Sequence, residues 1–171
     1  MNVPELETER LLLRGFRDDD LDGWAEICAD SEAMRWVGYP EGLSREGAWR
    51  EMAYHIGHWA LRGFGHWALV DRAAGEFVGR AGLYRPEGWP GLEVGWLVAR
   101  SRWGRGYAPE AGRAAVRWAR EELGAGRLIS LIEDRNSASQ RVAEKLGMRP
   151  GELTRIREEA VEVRIFGVDL G

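Results

Sequence analysis

Arg102-Trp103-Gly104-Arg105-Gly106-Tyr107-Ala108-Pro109-Glu110-Ala111 decides the fold, because it joins a strand-like run to a helix-like one through two glycines. In the run before it, Leu92–Ala99, side chains alternate: Leu92, Val94, Trp96 and Val98 share one face, and Glu93, Gly95, Leu97 and Ala99 the other. The run after it, Pro109–Leu123, is helix-like, with proline in the first turn and Glu110 where the helix dipole favours an acid. Gly104 and Gly106 admit backbone angles that other residues resist, and they leave room for a ligand against the main chain. Successive free N–H groups at a helix start make an anion site, most often for phosphate. Arg102 and Arg105 are placed to add charge-assisted hydrogen bonds to the same anion. Two familiar phosphate motifs do not fit: Gly104-x-Gly106-x-x-Pro109 lacks the third glycine of a dinucleotide fingerprint, and no Gly-Lys-Ser/Thr follows. On this stretch alone, a helix entered through a flexible turn with no ligand stays open.

Working outward, the helix after the turn packs Ala111, Ala115, Trp118, Ala119 and Leu123 inward and turns Arg113, Arg117 and Arg120 out. Leu128–Ile132 is apolar throughout except for Ser130, as expected of a strand buried on both faces. Asn136 is placed to cap a last helix that ends at Gly147, with Ser139, Val142, Ala143 and Leu146 on one face. The tail supplies strands at about Glu152–Arg157 and Val161–Val168 around a turn at Glu158–Glu159. On the N-terminal side, Leu11–Phe16 is a strand, and Asp18 caps a helix carrying Leu21, Trp24, Ala25 and a buried, structural Cys28. Met34–Leu43 is a loop, and Ser44 caps a helix to about Leu61 with Ala48, Met52, His55, Ile56 and Trp59 on one side. His55 and His58 read as surface or interface residues, since no third metal ligand at fitting spacing accompanies them. His66–Val70 and Phe77–Tyr84 form a hairpin. The order β, α, α, β, β, β, α, β, α, β, β makes one α/β domain over residues 1–171: a single mixed sheet, twisted, with helices on both faces.

Composition narrows the function classes. With 44% hydrophobic and 30% charged residues among 171, the chain is ordinary for a globular protein, and no apolar run approaches the ~20 residues of a membrane span. A formal net charge of −4 argues against nucleic acid as partner, which needs a basic face. The single cysteine excludes an internal disulfide; together with a start that lacks a signal-peptide pattern, it gives a cytoplasmic expectation. Nine tryptophans are many for one core.

Trp103-Gly-Arg-Gly-Tyr-Ala-Pro-Glu-Ala111 resembles the acetyl-CoA pyrophosphate loop of the GNAT acetyltransferase superfamily, whose pattern is Gln/Arg-x-x-Gly-x-Gly/Ala. Gly106 and Ala108 fill its last two fixed places, and Trp103 stands where Gln or Arg is usual. Trp is frequent there in the Rim-like branch of ribosomal-protein N-terminal acetyltransferases, which Glu7-Thr-Glu-Arg-Leu-Leu-Leu-Arg-x-Phe16 and Asn136-x-x-Ser139…Lys145-Leu-Gly-Met148 also resemble. The resemblance runs end to end and implies a mostly antiparallel sheet, in which the strands Leu92–Ala99 and Leu128–Ile132 splay apart around the pantetheine arm of acetyl-CoA.

The resemblance also implies a site. Trp103, Gly104, Arg105, Gly106, Tyr107 and Ala108 would hold the pyrophosphate; main-chain N–H groups near Leu97 and Val98, with Asn136, would hold the pantetheine and thioester carbonyl. Glu93 is the candidate base for an acceptor amine, with Glu32, Glu158, Glu159 or a water as rivals. Ser139 is the candidate proton source for the departing thiolate, because Ala143 occupies the place where many relatives have a tyrosine; bonding back to its own helix is the alternative for this serine. The expected activity is transfer of acetyl from acetyl-CoA to a primary amine, of a protein N-terminus or a small molecule, without metal, membrane or nucleic acid, in a possible homodimer. Two other classes stay open: a non-catalytic acyl-CoA-binding module, which turnover would exclude, and a tryptophan-rich interaction domain, which acetyl-CoA binding would exclude.

Overall fold

A computed structural model describes residues 2–156 and 161–171. Eight strands form one sheet: β1 Leu6–Glu7, β2 Leu11–Arg14, β3 His66–Asp71, β4 Phe77–Tyr84, β5 Glu93–Val98, β6 Arg127–Ile132, β7 Arg149–Ile156 and β8 Val161–Asp169. Their order is β1-β2-β3-β4-β5-β6-β8-β7, antiparallel at every junction except β5–β6. Helices α1 Leu21–Ala29, α2 Ser31–Met34 and α3 Arg45–Arg62 precede β3; α4 Tyr107–Glu121 follows β5 and α5 Ser137–Lys145 follows β6.

The alternation on β5 assigns the two layers. Val94 and Val98 enter the larger core with Ala111, Ala115 and Ala119 of α4 and Ala143 of α5. Leu97, on the other face, joins Trp24, Cys28, Ala48 and Met52 under α1 and α3. Helices therefore cover both faces, as the element order requires. Burial pushes the Cys28 thiol up to about 12, so it is an inert core residue.

The local readings hold where a cap or a period set them. The Ser44 side chain accepts the Gly47 N–H at the start of α3, and Asn136 accepts the Ser139 N–H at the start of α5. Gly147 follows α5 at φ 79°. Four readings change. Asp18 does not cap α1: Asp18–Asp20 is a 3-10 turn, and the buried Asp20 instead takes both arms of Arg14 at 2.7 Å and the Arg17 N–H at 2.8 Å. Removing one partner from such a pair costs roughly 3–5 kcal/mol, so the pair fixes the entry to α1. The expected loop at Met34–Leu43 begins inside α2 and a 3-10 turn at Arg35–Val37. Leu123 lies beyond α4 and is 38% exposed, and Ile56 on α3 is 37% exposed. Strand β1 was missed because two residues carry no period. The expected turn at Glu158–Glu159 lies outside the described residues.

Candidate active site

The parallel ladder between β5 and β6 breaks almost as soon as it starts. Glu93 pairs with Ile129, and the Ile129 N–H reaches the Leu92 carbonyl at 2.9 Å. One step further, side chains replace main chain. The buried Ser130 hydroxyl donates to the Val94 carbonyl at 2.6 Å, and the Glu93 Oε1 accepts the Leu131 N–H at 3.3 Å. Beyond this point β6 turns to β8 while β5 stays with β4. The Ala99 N–H bonds to Val78, so the antiparallel alternation turns the N–H of Leu97 toward β4 and those of Trp96 and Val98 toward the opening. Of the two expected donors near the splay, Val98 is the one aimed into it.

A cavity of about 1120 Å³ occupies the opening. Its wall on one side is the glycine turn. Gly104 and Gly106 have φ of 73° and 82°, and α4 starts at Tyr107 with no side chain capping it. Tyr107 and Ala108, in its first turn, have no intrahelical acceptor for their N–H groups. The turn is braced from behind. Trp103 Nε1 donates to the Val98 carbonyl at 2.8 Å, and Tyr107 donates to Asp71. Glu110, buried, accepts from Thr8 at 2.6 Å and from the Arg10 N–H and Nε at 2.8 and 2.7 Å, while Arg10 Nη1 donates to the Arg105 carbonyl at 2.6 Å. Burial works to raise the Glu110 carboxyl, but these hydrogen bonds outweigh it and hold it below the usual range. Arg102 is engaged with Glu76 and Asp71, and the exposed Arg105 is not on the cavity wall. At this turn the donors left without an acceptor are main-chain N–H groups.

Asn136 and Ser139 of α5 line the same cavity. Asn136 is buried with its Oδ1 committed to the cap. The Ser139 hydroxyl has no hydrogen bond among the described residues, so it does not bond back to its helix. Opposite, Glu93 Oε2 accepts from Trp89 Nε1 at 2.7 Å. Glu32 is exposed, faces Arg35 at 3.4 Å and is not on the cavity wall; Glu158 and Glu159 lie outside the described residues.

The second half of the cavity, beneath α3, escaped sequence reasoning. His55 and His58, expected at the surface, are buried, as is His66. His66 of β3, Gly82 of β4 and Gly95 of β5 stand side by side, and a Cβ on Gly95 would come within 3.3 Å of His66 Nε2. The Tyr84 ring stacks between His58 and His66, at 5.4 and 5.5 Å. His58 donates from Nδ1 to the Phe64 carbonyl at 2.8 Å and accepts the Arg85 N–H at Nε2, so it is the neutral Nδ1–H tautomer. Burial pushes His55 and His66 well below the ordinary 6.5, and the nearby Arg80 charge adds to this. The signals available were His66, Arg80 and Glu93 standing in otherwise apolar strands that the topology makes central. Among the described residues, no group of three His, Cys, Asp or Glu is placed to hold a metal, and no helix is long and apolar enough to cross a membrane.

Comparison with known proteins agrees with this geometry. Residues 10–149 match the acetyltransferase (GNAT) domain family, and the chain belongs to it. It is an acetyl-CoA-dependent acetyltransferase. The uncharacterised protein YkkB of Bacillus subtilis is 34% identical over 152 residues, covering 84% of each chain. An acetyltransferase structure from Agrobacterium tumefaciens superposes with a TM-score of 0.85 at 29% identity, covering 98% of this chain and 95% of that one. RimL, a ribosomal L7/L12 α-N-protein acetyltransferase solved with coenzyme A, shares the fold (TM-score 0.79, 97% and 98% covered) at 16% identity.

Proposed function

We propose that the protein moves the acetyl group of acetyl-CoA to a primary amine by direct attack, with Glu93 as base and Ser139 as proton donor. The observation that carries this reading is the interrupted β5–β6 ladder. It leaves the Val98 N–H aimed into a cavity that Glu93 and Ser139 both line. The N–H groups of the Gly104–Ala108 turn bind the pyrophosphate, and the Val98 N–H polarises the thioester carbonyl. Glu93 takes a proton from the acceptor ammonium or amine, directly or through a water. The amine nitrogen forms a bond to the acetyl carbon and gives up its extra proton to Glu93 or water as the C–S bond breaks, and the thiolate takes a proton from Ser139, which solvent restores. Positioning and oxyanion stabilisation supply most of the acceleration, with one modest proton transfer at each end.

Within the superfamily, the Trp103 loop and the Asn136…Ser139 segment favour the Rim-like branch. For assembly we propose a homodimer. Trp49 and Leu61 on α3 are 51% and 85% exposed, apolar surface of the kind a second copy covers. Light scattering at micromolar concentration should give twice the chain mass; a monomer mass rejects the dimer. The enzymatic reading is tested by thiol release from acetyl-CoA across amino acids, polyamines, aminoglycosides and peptide N-termini. Amine-dependent release is expected. Tight acetyl-CoA binding with no release for any amine would leave only a binding module.

A further inference from the structure

Arg80 of β4 is 8% exposed, and its guanidinium lies on the floor of the cavity. A buried cation is normally held by a carboxylate, because the cost of desolvating it is otherwise uncompensated. Here, among the described residues, no ion pair reaches it. Its Nη1 lies 3.2 and 3.3 Å from the two ring nitrogens of the neutral His66, and its Nε has no hydrogen-bond partner. His55 Nε2, on the same wall, has none either.

One tautomer set pairs every other ring nitrogen of this pair. His66 Nδ1–H donates to His55 Nδ1 at 3.3 Å, and His66 Nε2 accepts from Arg80. His55 is then protonated at Nε2. Two N–H donors, Arg80 Nε–H and His55 Nε2–H, are left without acceptors at one end of the cavity, and one of them carries full charge. The other charges nearby are two half-buried acids. Glu51 accepts from Tyr39 at 2.6 Å and lies 3.9 Å from His55 Nε2, and Glu93 sits where the splay begins. The floor is thus a cation flanked by two carboxylates. His66 stands beside Gly95, and Glu93 is two residues, ~7 Å, along the same strand.

We propose that the acceptor is a small amine that carries a carboxylate, an amino-acid-type molecule, with its carboxylate on Arg80 and its amine turned toward Glu93. The inference rests on the acetyltransfer reading for the direction of the amine, but the anion site stands on Arg80 itself. A carboxylate there adds the direct ion pair that Glu51 and Glu93 do not make and accepts from Nε–H, a charge-assisted bond of the kind that makes arginine the usual carboxylate reader. The acids that repel this carboxylate from the rest of the floor attract the ammonium.

The test pairs each of the twenty amino acids with its carboxamide, which keeps the shape and the amine and removes the charge. Two readouts are taken: kcat/KM for thiol release from acetyl-CoA, and calorimetric titration of the acetyl-CoA-loaded protein. At least one acid should exceed its amide by ~100-fold or more, the discrimination expected when a buried charge is left unpaired. Arg80→Gln should abolish that preference by lowering kcat/KM for the acid far more than for the amide, with acetyl-CoA affinity retained; Arg80→Lys should keep part of it. If Arg80→Gln does not fold, the wild-type acid-to-amide ratio decides by itself. Acids that bind in preference to amides without turnover would sink the acetyltransfer reading and leave the anion site standing. Amides, polyamines or peptide N-termini that match the acids in both readouts would overturn the anion site.

Discussion

The two halves of the cavity are made of different material. The half proposed for the cofactor is main chain: two glycines at positive φ, an uncapped helix start, and a strand whose N–H groups lost their neighbour. The half proposed for the acceptor is side chain: histidines, an arginine, a tyrosine and acids that α3, β3, β4 and β5 bring together from residues 51 to 93. Main-chain sites demand particular residues at adjacent positions, because only glycine relieves positive φ and only certain residues cap a helix. Side-chain sites demand only that distant residues meet. The first kind is written locally, and the second waits for the fold.

The largest effect should fall where the halves join. Glu93 belongs to both, since it accepts the Leu131 N–H at the end of the ladder and lines the cavity. Glu93→Gln keeps the shape and one acceptor oxygen while removing proton acceptance. Its kcat should fall by ~10²–10⁴ with little change in acetyl-CoA affinity. Raising pH should partly restore the rate, because more acceptor amine is then already neutral. Wild-type turnover across the pH range would remove Glu93 from catalysis and leave it as the residue that holds the splay open.

This division explains what was legible. Ser44 and Asn136 announced α3 and α5 by chemistry that acts within three residues. Leu92–Ala99 showed its alternation, and the two faces entered the two cores as read. Ser130 was visible as the one polar residue in an apolar strand, but its purpose was not. Only the neighbouring β5 shows that its hydroxyl replaces a ladder bond. His55 looked like a surface histidine because its partner His66 is eleven residues away, and Arg80, which meets His66, is fourteen beyond that. No spacing rule connects those three. Asp18 does not cap the helix because Asp20, buried, takes the Arg17 N–H and pairs with Arg14 on the preceding strand, an ion pair that overrides the local preference.

The next effect separates the halves by pH. His55 and His66 are held neutral below their ordinary value of 6.5, chiefly by burial. A depressed folded-state value means that the unfolded chain binds more protons below pH 6.5. Stability is therefore fully present above that pH and falls as pH drops through the window beneath it, by up to about 1.4 kcal/mol per pH unit for each histidine. Thermal melts from pH 7.5 to 5 should show this loss. His55→Asn, which cannot take up a proton, should flatten the profile. A melting temperature that does not fall on acidification would mean that these imidazoles are not held neutral by the fold.

A smaller effect is expected from the main-chain half. Gly106 sits at φ 82°, and a Cβ there would come within 3.2 Å of Nη2 of Arg10, whose Nη1 holds the turn at the Arg105 carbonyl. Gly106→Val should weaken acetyl-CoA binding at least about tenfold, or ~1.4 kcal/mol. Amino-acid binding at Arg80 should persist in this variant, if the halves are built independently. Equal acetyl-CoA affinity in a folded Gly106→Val protein would overturn the assignment of the turn to the pyrophosphate.

The smallest effect tests the far wall. Ser139 is half-buried near the start of α5, its N–H is held by Asn136, and its hydroxyl bonds nothing among the described residues. Ser139→Ala therefore breaks no internal hydrogen bond, and alanine suits a helix slightly better, so stability should change by no more than ~0.5 kcal/mol. That makes the kinetics clean to read. If the hydroxyl protonates the leaving thiolate, kcat should drop by about tenfold, less than for Glu93→Gln, because a water can take the vacated place. Alkaline pH should not rescue it, since the thiolate appears only after the amine has attacked. The two variants should thus differ in whether alkaline pH restores them as well as in size. A Ser139→Ala enzyme with wild-type kcat would mean that solvent protonates the thiolate unaided, and one rescued by high pH would mean that Ser139 acts before the carbon–nitrogen bond forms.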